Sequence, residues 1–193
     1  MNNSVRLILQ QGTSAAHRAL NRLPRVRRLL SDSLSIADHA DTLRGLIAVA
    51  QTAESALERW SAVHPQGHWK HPGLSARGKL DLVALGECSG PLPEAHTLEV
   101  RTFADYMGVL YVLEGSALGG QFIARQWKSR GHTLRPSLYF VDPSESVTLR
   151  WQEFCGRLEA AVPPSMVDEA VAAAVQTFAT FHEVMSEPVH SRA

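Results

Sequence analysis

Residues 106–126 read YMGVLYVLEGSALGGQFIARQ. The stretch is apolar with a period near 3.6, as a buried helix requires, yet it holds Gly108, Gly115, Gly119 and Gly120. Each glycine inside a helix costs about 1 kcal/mol relative to alanine, so the group asks for a compensating reason. Spacing supplies one. At about 100° per residue, Gly108, Gly115 and Gly119 fall within about 40° of one another, and Ala104 extends the same strip. A strip without side chains lets another body approach the backbone closely. That body is either a second helix packed tightly or a flat, bulky ligand. The Gly119-Gly120 pair also favours a local kink, which opens backbone groups toward a ligand.

Helical periodicity continues on both sides, and no convincing alternating strand is found. A first helical region covers residues 5–23, interrupted at Gly12 and recapped by Thr13. Pro24 starts a new turn. A second helix covers 36–60, with Ser35 as its cap and Asp38 in its first turn. Residues 61–73, broken by Pro65, Gly67 and Pro72, read as a loop. Ser75 is the expected cap of a short helix ending near Gly86, and Thr97 that of a long helix reaching Lys128. Residues 131–145 read as irregular, 147–161 as a helix ended by Pro163 and Pro164, and Ser165 as the cap of a last helix. The sum is an all-α chain, a compact multi-helix bundle of about six to eight helices. It is expected to form a single domain over residues 1–193.

Composition narrows the function classes. The chain has 193 residues, 19 Lys+Arg against 19 Asp+Glu, and so no net charge. No global basic field points to nucleic acid. No run approaches the roughly 18 apolar residues that span a bilayer, and no leader is visible. Cys88 and Cys155 lack CxxC spacing and read as reduced thiols, Cys155 as a buried one. A cytoplasmic protein without a membrane partner is expected. Charge is uneven, however. Arg18, Arg22, Arg25, Arg27 and Arg28 crowd one stretch, as either a solvated face or a local anion site.

His17, in GTSAAHRALNRL, stands just before those arginines. A lone helical histidine is most often an ordinary polar residue. A neutral imidazole is also an axial ligand for heme iron, and nearby arginines can neutralise a ligand's carboxylates.

Two elements together resemble the heme oxygenase family. Thr13 and His17 match its T-x-x-x-H element, and Gly115, Gly119, Gly120 and Gln121 match its G-x-x-x-G-G-Q run. The string YVLEGSALGGQ, residues 111–121, is similar to the bacterial branch associated with bacteriophytochromes. Thr177, Phe178 and Phe181 match a pattern in the last helix. The resemblance implies oxidative cleavage of heme to biliverdin, CO and ferrous iron, with heme as both substrate and cofactor. It implies His17 as proximal iron ligand and a kinked distal helix, with Gly115, Ser116 and Gly119 at the reacting face, steering bound O2 toward a meso carbon. Tyr111, Gly120 and Arg18 join the heme-binding set. No GxGxxG motif offers a nucleotide site, so electrons come from an external donor such as a ferredoxin or a flavoprotein reductase. A bacteriophytochrome is the implied receiver of biliverdin. A non-catalytic heme carrier or sensor on the same fold is the alternative, and a heme-free hydrolase of thiaminase type is a third reading.

Two departures from the family pattern stand out. Ser116 occupies the place of an aspartate in the animal enzymes, and a hydroxyl holds a water with less charge. No Lys or Arg lies between Leu158 and Ser191, so the propionates turn to Arg18, Arg22, Tyr111 or solvent. His64, His68 and His71 form a triplet without the ligand pattern of structural zinc. His182 lacks an HExxH context. Arg125, Lys128 and Arg130 read as a solvated face, or as a docking patch for the electron donor.

Overall fold

The computed structural model describes residues 4–65, 68–87, 90–131, 137–142 and 146–186. Seven α-helices occur among them: α1 Val5–Arg22, α2 Pro24–Arg28, α3 Ile36–Val63, α4 Leu74–Ala84, α5 Phe103–Ser129, α6 Val147–Ala161 and α7 Val167–Ser186. No strand occurs among the described residues.

The ends of these helices follow side-chain capping more than glycine and proline. Ser4 caps α1, and the helix runs unbroken through Gly12. Gly12 lies against Val171 of α7, and that contact holds the backbone helical through a residue of poor propensity. Thr13 therefore caps nothing; its hydroxyl donates to the Leu9 carbonyl at 2.7 Å. In α3, Ser35 and Asp38 form a reciprocal capping box. The helix continues past the expected end to Val63, where the His64 ring stacks on Trp60 at 4.3 Å.

Three expected caps move. Gly73, in a left-handed conformation (φ 66°), precedes α4, while the Ser75 hydroxyl and amide bind Glu54. α5 is capped by Thr102 instead of Thr97. Thr102 and Asp105 exchange hydrogen bonds of 3.1 Å, giving the box two partners that Thr97 lacks. Ser165 sits inside a 3-10 turn, Pro164–Met166, ahead of α7. α6 matches its expected bounds.

α7 is the hub. It packs most extensively on α5 and on α1, and also on α3. Ala170, Ala173, Ala174, Thr177, Phe178 and Phe181 give it a buried stripe. α1 otherwise meets α2 and α6, and α5 meets α6 and α3. α1 and α5 thus flank α7 with room between them. α5 holds an 18-residue window of mean hydropathy 1.2, enough in length and composition to cross a membrane. Here that window is 61% buried inside the fold, as a core helix.

The arginine cluster divides. Arg25 pairs with Asp41 at 2.7 Å and Arg28 with Asp38 at 2.6 Å, which fastens α2 to α3. Arg18 and Arg22 remain on the exposed side of α1.

Candidate functional site

Between α1 and α5 lies a cavity of about 460 Å³, floored by α7 and closed at its sides by α6 and the turn at 137–140. Arg6, Gln10, Thr13 and His17 line it from α1. Their spacing of four, three and four residues puts them on one helix face.

The His17 ring meets Phe178 of α7 edge-on at 5.6 Å. The residue is exposed and lines the cavity, yet its pKa lies below the usual histidine value because partial burial desolvates the ring. A neutral imidazole with a free lone pair suits a metal ligand. The Asn21 amide stands 3.4 Å from Nε2.

The glycine strip of α5 splits into two uses. A Cβ on Gly108 would strike the Ala170 carbonyl and come within 3.0 Å of Ala173 Cβ. Gly108 is thus the contact that seats α5 on α7. A Cβ on Gly120 would lie 2.8 Å from the Phe140 backbone, so this glycine, which also borders the cavity, admits the 137–140 turn. Gly119 meets nothing within 4 Å, and Gly115 meets only the Trp151 ring, 3.9 Å away. Gly115 and Gly119 therefore present bare backbone to the cavity that His17 lines from α1. α5 is one continuous helix through Gly119 and Gly120.

Ser116 is half-buried at the cavity, and its hydroxyl donates back to the Val112 carbonyl at 2.8 Å. Its oxygen can still accept a hydrogen bond from the cavity. Tyr111 stands 5.5 Å from Trp151 between ring centroids and has its pKa raised by burial.

Arg18 does not line the cavity; it donates to Ser14 one turn back along α1. Arg22 does not line it either. Among the described lining residues, Arg6 is the only Lys or Arg, and no Asp or Glu is present. Arg6 and Gln10 escaped the sequence reading, although their spacing to His17 along α1 was visible.

The other candidates lie apart. His64 stacks on Trp60, His68 is exposed, and His71 contacts Glu54 and Glu58. Among the described residues no group of His, Cys, Asp and Glu is arranged to hold a metal ion. Cys155 is half-buried rather than buried, with its pKa pushed up to about 11 by desolvation. Cys88 lies outside the described residues. Arg125 bonds to Gln121 at 2.6 Å, and Arg130 reaches the Leu30 carbonyl.

Fold and site together define an all-helical protein with a largely apolar cavity between two of its helices. His17 lines it from α1, the glycines Gly115 and Gly119 from α5, apolar residues such as Leu20, Ile123 and Phe181 complete the lining, and Arg6 is the one Lys or Arg among the described lining residues. Comparison with known proteins agrees. The heme oxygenase family profile matches residues 4–187. A heme oxygenase from Xanthomonas campestris pv. campestris (strain 8004) is 28% identical over 149 residues, covering 77% of this chain and 88% of the relative. The heme oxygenase of Leptospira interrogans superposes with a TM-score of 0.74 at 19% identity, over 96% of this chain and 100% of the other. The NO- and CO-bound heme oxygenase of Neisseria meningitidis gives the same TM-score of 0.74 and identity of 19%, over 96% and 91% of the chains. Heme oxygenase-1 of Synechocystis sp. PCC6803, solved in complex with heme, gives 0.70 at 11% identity, over 95% and 91%. The chain belongs to the heme oxygenase family, and enzymatic degradation of heme is its activity class.

Proposed function

We propose that the cavity between α1 and α5 binds heme and that the enzyme opens its ring to biliverdin, CO and ferrous iron, using O2 and electrons from outside the chain. The observation that carries this reading is one cavity lined by His17 from α1 and by the bare backbone of Gly115 and Gly119 from α5. Bound heme supplies the redox chemistry and is itself consumed. The residues present fit it. His17, kept neutral by its surroundings, offers a nitrogen lone pair to the iron. Gly115 and Gly119 leave only backbone over the opposite face, so small molecules there are confined sterically. Ser116 Oγ is the side-chain acceptor nearest that strip in sequence and can hold a water. Arg6, with Gln10 beside it, is placed to receive a carboxylate, in the role first expected of Arg18.

The reductant is external, a ferredoxin or flavoprotein reductase, and a bacteriophytochrome receiving biliverdin belongs to the same reading.

An absorbance titration with hemin, followed by ascorbate and catalase in air, tests it. A saturable Soret band that decays to a broad red absorbance is expected. His17→Ala should change the band's position and abolish the decay. Arg6→Met should weaken hemin binding about tenfold, the equivalent of one charge-assisted hydrogen bond of roughly 1.5 kcal/mol. A wild-type band that persists under reductant would sink the ring-opening reading, and no saturable band would sink heme binding.

A further inference from the structure

Behind the cavity wall, Glu114 is 2% exposed. Its Oε1 accepts from Trp69 Nε1 at 2.8 Å and from Arg150 Nη2 at 2.6 Å, and its Oε2 accepts from Arg150 Nε at 2.8 Å. Arg150 Nη2 also donates to the Lys70 carbonyl, and the guanidinium lies over the Trp69 ring, 5.3 Å from its centroid. One carboxylate thus joins α5, α6 and the segment at 69–70.

The chain neighbours of this pair matter. Glu114 immediately precedes Gly115, and Arg150 immediately precedes Trp151. Gly115 and Trp151 make one corner of the cavity, with the Trp151 ring 3.9 Å from the place a Gly115 Cβ would take. A buried ion pair is a poor source of stability, because an apolar pair of like volume often serves as well. A two-point guanidinium–carboxylate contact does something apolar packing does not: it fixes both separation and rotation. Here those two quantities set where the Trp151 ring stands relative to the bare backbone at Gly115. A flat ligand lying on that backbone meets the ring at its edge.

We propose that Glu114 and Arg150 are positioning residues whose paired contact sets the Gly115–Trp151 corner, and through it the in-plane seating of heme and the meso carbon that is cut. The inference rests on the cavity being the heme site. Neither side chain lines the cavity, so both act through their neighbours.

The test uses Glu114→Gln/Arg150→Met. Glutamine keeps an acceptor for the Trp69 indole, and no charge is left buried alone. Two readouts are taken: the hyperfine-shifted heme methyl resonances of the ferric hemin complex, which need no turnover, and the isomer ratio of the ring-opened product. The double variant should melt cooperatively and bind one hemin. It should also show a second set of methyl resonances at tenfold or more its wild-type population, with a matching shift in isomer ratio. A folded double variant with the wild-type methyl pattern overturns the proposal. Should it not fold, Arg150→Lys keeps the charge but loses the two-point contact, and a wild-type methyl pattern there overturns it equally. A wild-type complex that forms but does not open its ring sinks the reaction and leaves the methyl spectrum to decide. If the wild type binds no hemin, the cavity reading fails and takes this inference with it.

Discussion

The glycines of α5 look alike in sequence and differ in what surrounds them, so alanine at each gives opposite results. At Gly119 the new methyl meets nothing within 4 Å. Gly119→Ala should raise stability by up to about 1 kcal/mol through helix propensity, while placing a methyl in the cavity proposed to hold heme. The thermal midpoint is expected to rise or hold, and hemin turnover to fall. At Gly108 the methyl meets the Ala170 carbonyl, which belongs to helix backbone and cannot give way cheaply. Gly108→Ala should cost about 1–3 kcal/mol by overpacking. Denaturant melts of both variants beside hemin turnover check the pair; equal stability changes would refute the division of the strip. The sequence showed that something approaches this strip, because glycine periodicity is visible there. It did not show that the approaching body is α7 at Gly108 and the cavity at Gly115 and Gly119. That depends on which neighbour faces each turn, and the neighbour is remote in sequence.

The same limit governs the elements. Helix existence and type were legible, since the 3.6 period is local and clear in α1, α3, α6 and α7, and α5 is a long apolar run. The starts of α4, α5 and α7 were not, since a threonine or serine caps only if the residues after it complete the bonding. Thr102 succeeds where Thr97 fails because Asp105 answers it. A tertiary cap was entirely hidden. Asp81 of α4, 7% exposed, accepts from the Ser137 hydroxyl, from the Leu138 amide at 2.8 Å and from the Tyr139 amide at 2.7 Å. It thereby holds the turn whose Phe140 backbone lies against Gly120. Asp81→Ala leaves two amides without their acceptor, at about 1–3 kcal/mol for each group that stays buried. A loss of at least roughly 2 kcal/mol is expected, along with weaker hemin binding, because the turn is part of the cavity rim. Urea melts and hemin titration measure the two effects; a variant as stable as wild type would show that Asp81 holds nothing.

For the molecule as a whole, acid stability turns on a buried group outside the site. His39 is 1% exposed, between Trp127 and Phe140, and neither ring nitrogen has a hydrogen-bond partner among the described residues. Burial lowers its pKa from 6.5 to about 4, against the opposing field of Asp81. Between those values the unfolded chain binds a proton that the folded protein refuses, so acidification favours unfolding. From pH 7.5 to 5 this removes about 2 kcal/mol. His71 works the other way: Glu54 raises its pKa, so its stabilisation is present at low pH and fades as pH rises through the folded value. Glu54 itself is depressed, and its share is lost as pH falls. Because these terms overlap, the contribution of His39 is isolated by comparison with His39→Leu. The variant should lose about 2 kcal/mol less than wild type between the two pH values in urea melts, and an equal loss would assign the acid sensitivity elsewhere.

Architecture makes ligand binding a stability event as well. α1 and α5 each pack on α7, and between them stands a cavity in place of a shared interface. A ligand held by His17 on one side and by the Gly115–Gly119 backbone on the other therefore supplies the missing layer, and it binds the folded state alone. At a free ligand concentration one hundred times the dissociation constant, linkage gives about 2.7 kcal/mol. For a chain of this length each kcal/mol moves the melting midpoint by about 2–4 °C, so hemin should raise it by roughly 5–11 °C. His17→Ala weakens the grip of α1 on the ligand and should shrink the shift at the same hemin concentration, while the ligand-free midpoint stays near wild type because His17 is an exposed residue. Differential scanning calorimetry with and without hemin separates these outcomes. A midpoint indifferent to hemin in the wild type would mean that the space between α1 and α5 is not where the ligand binds. A shift of full size in His17→Ala would mean that the ligand binds there without help from His17.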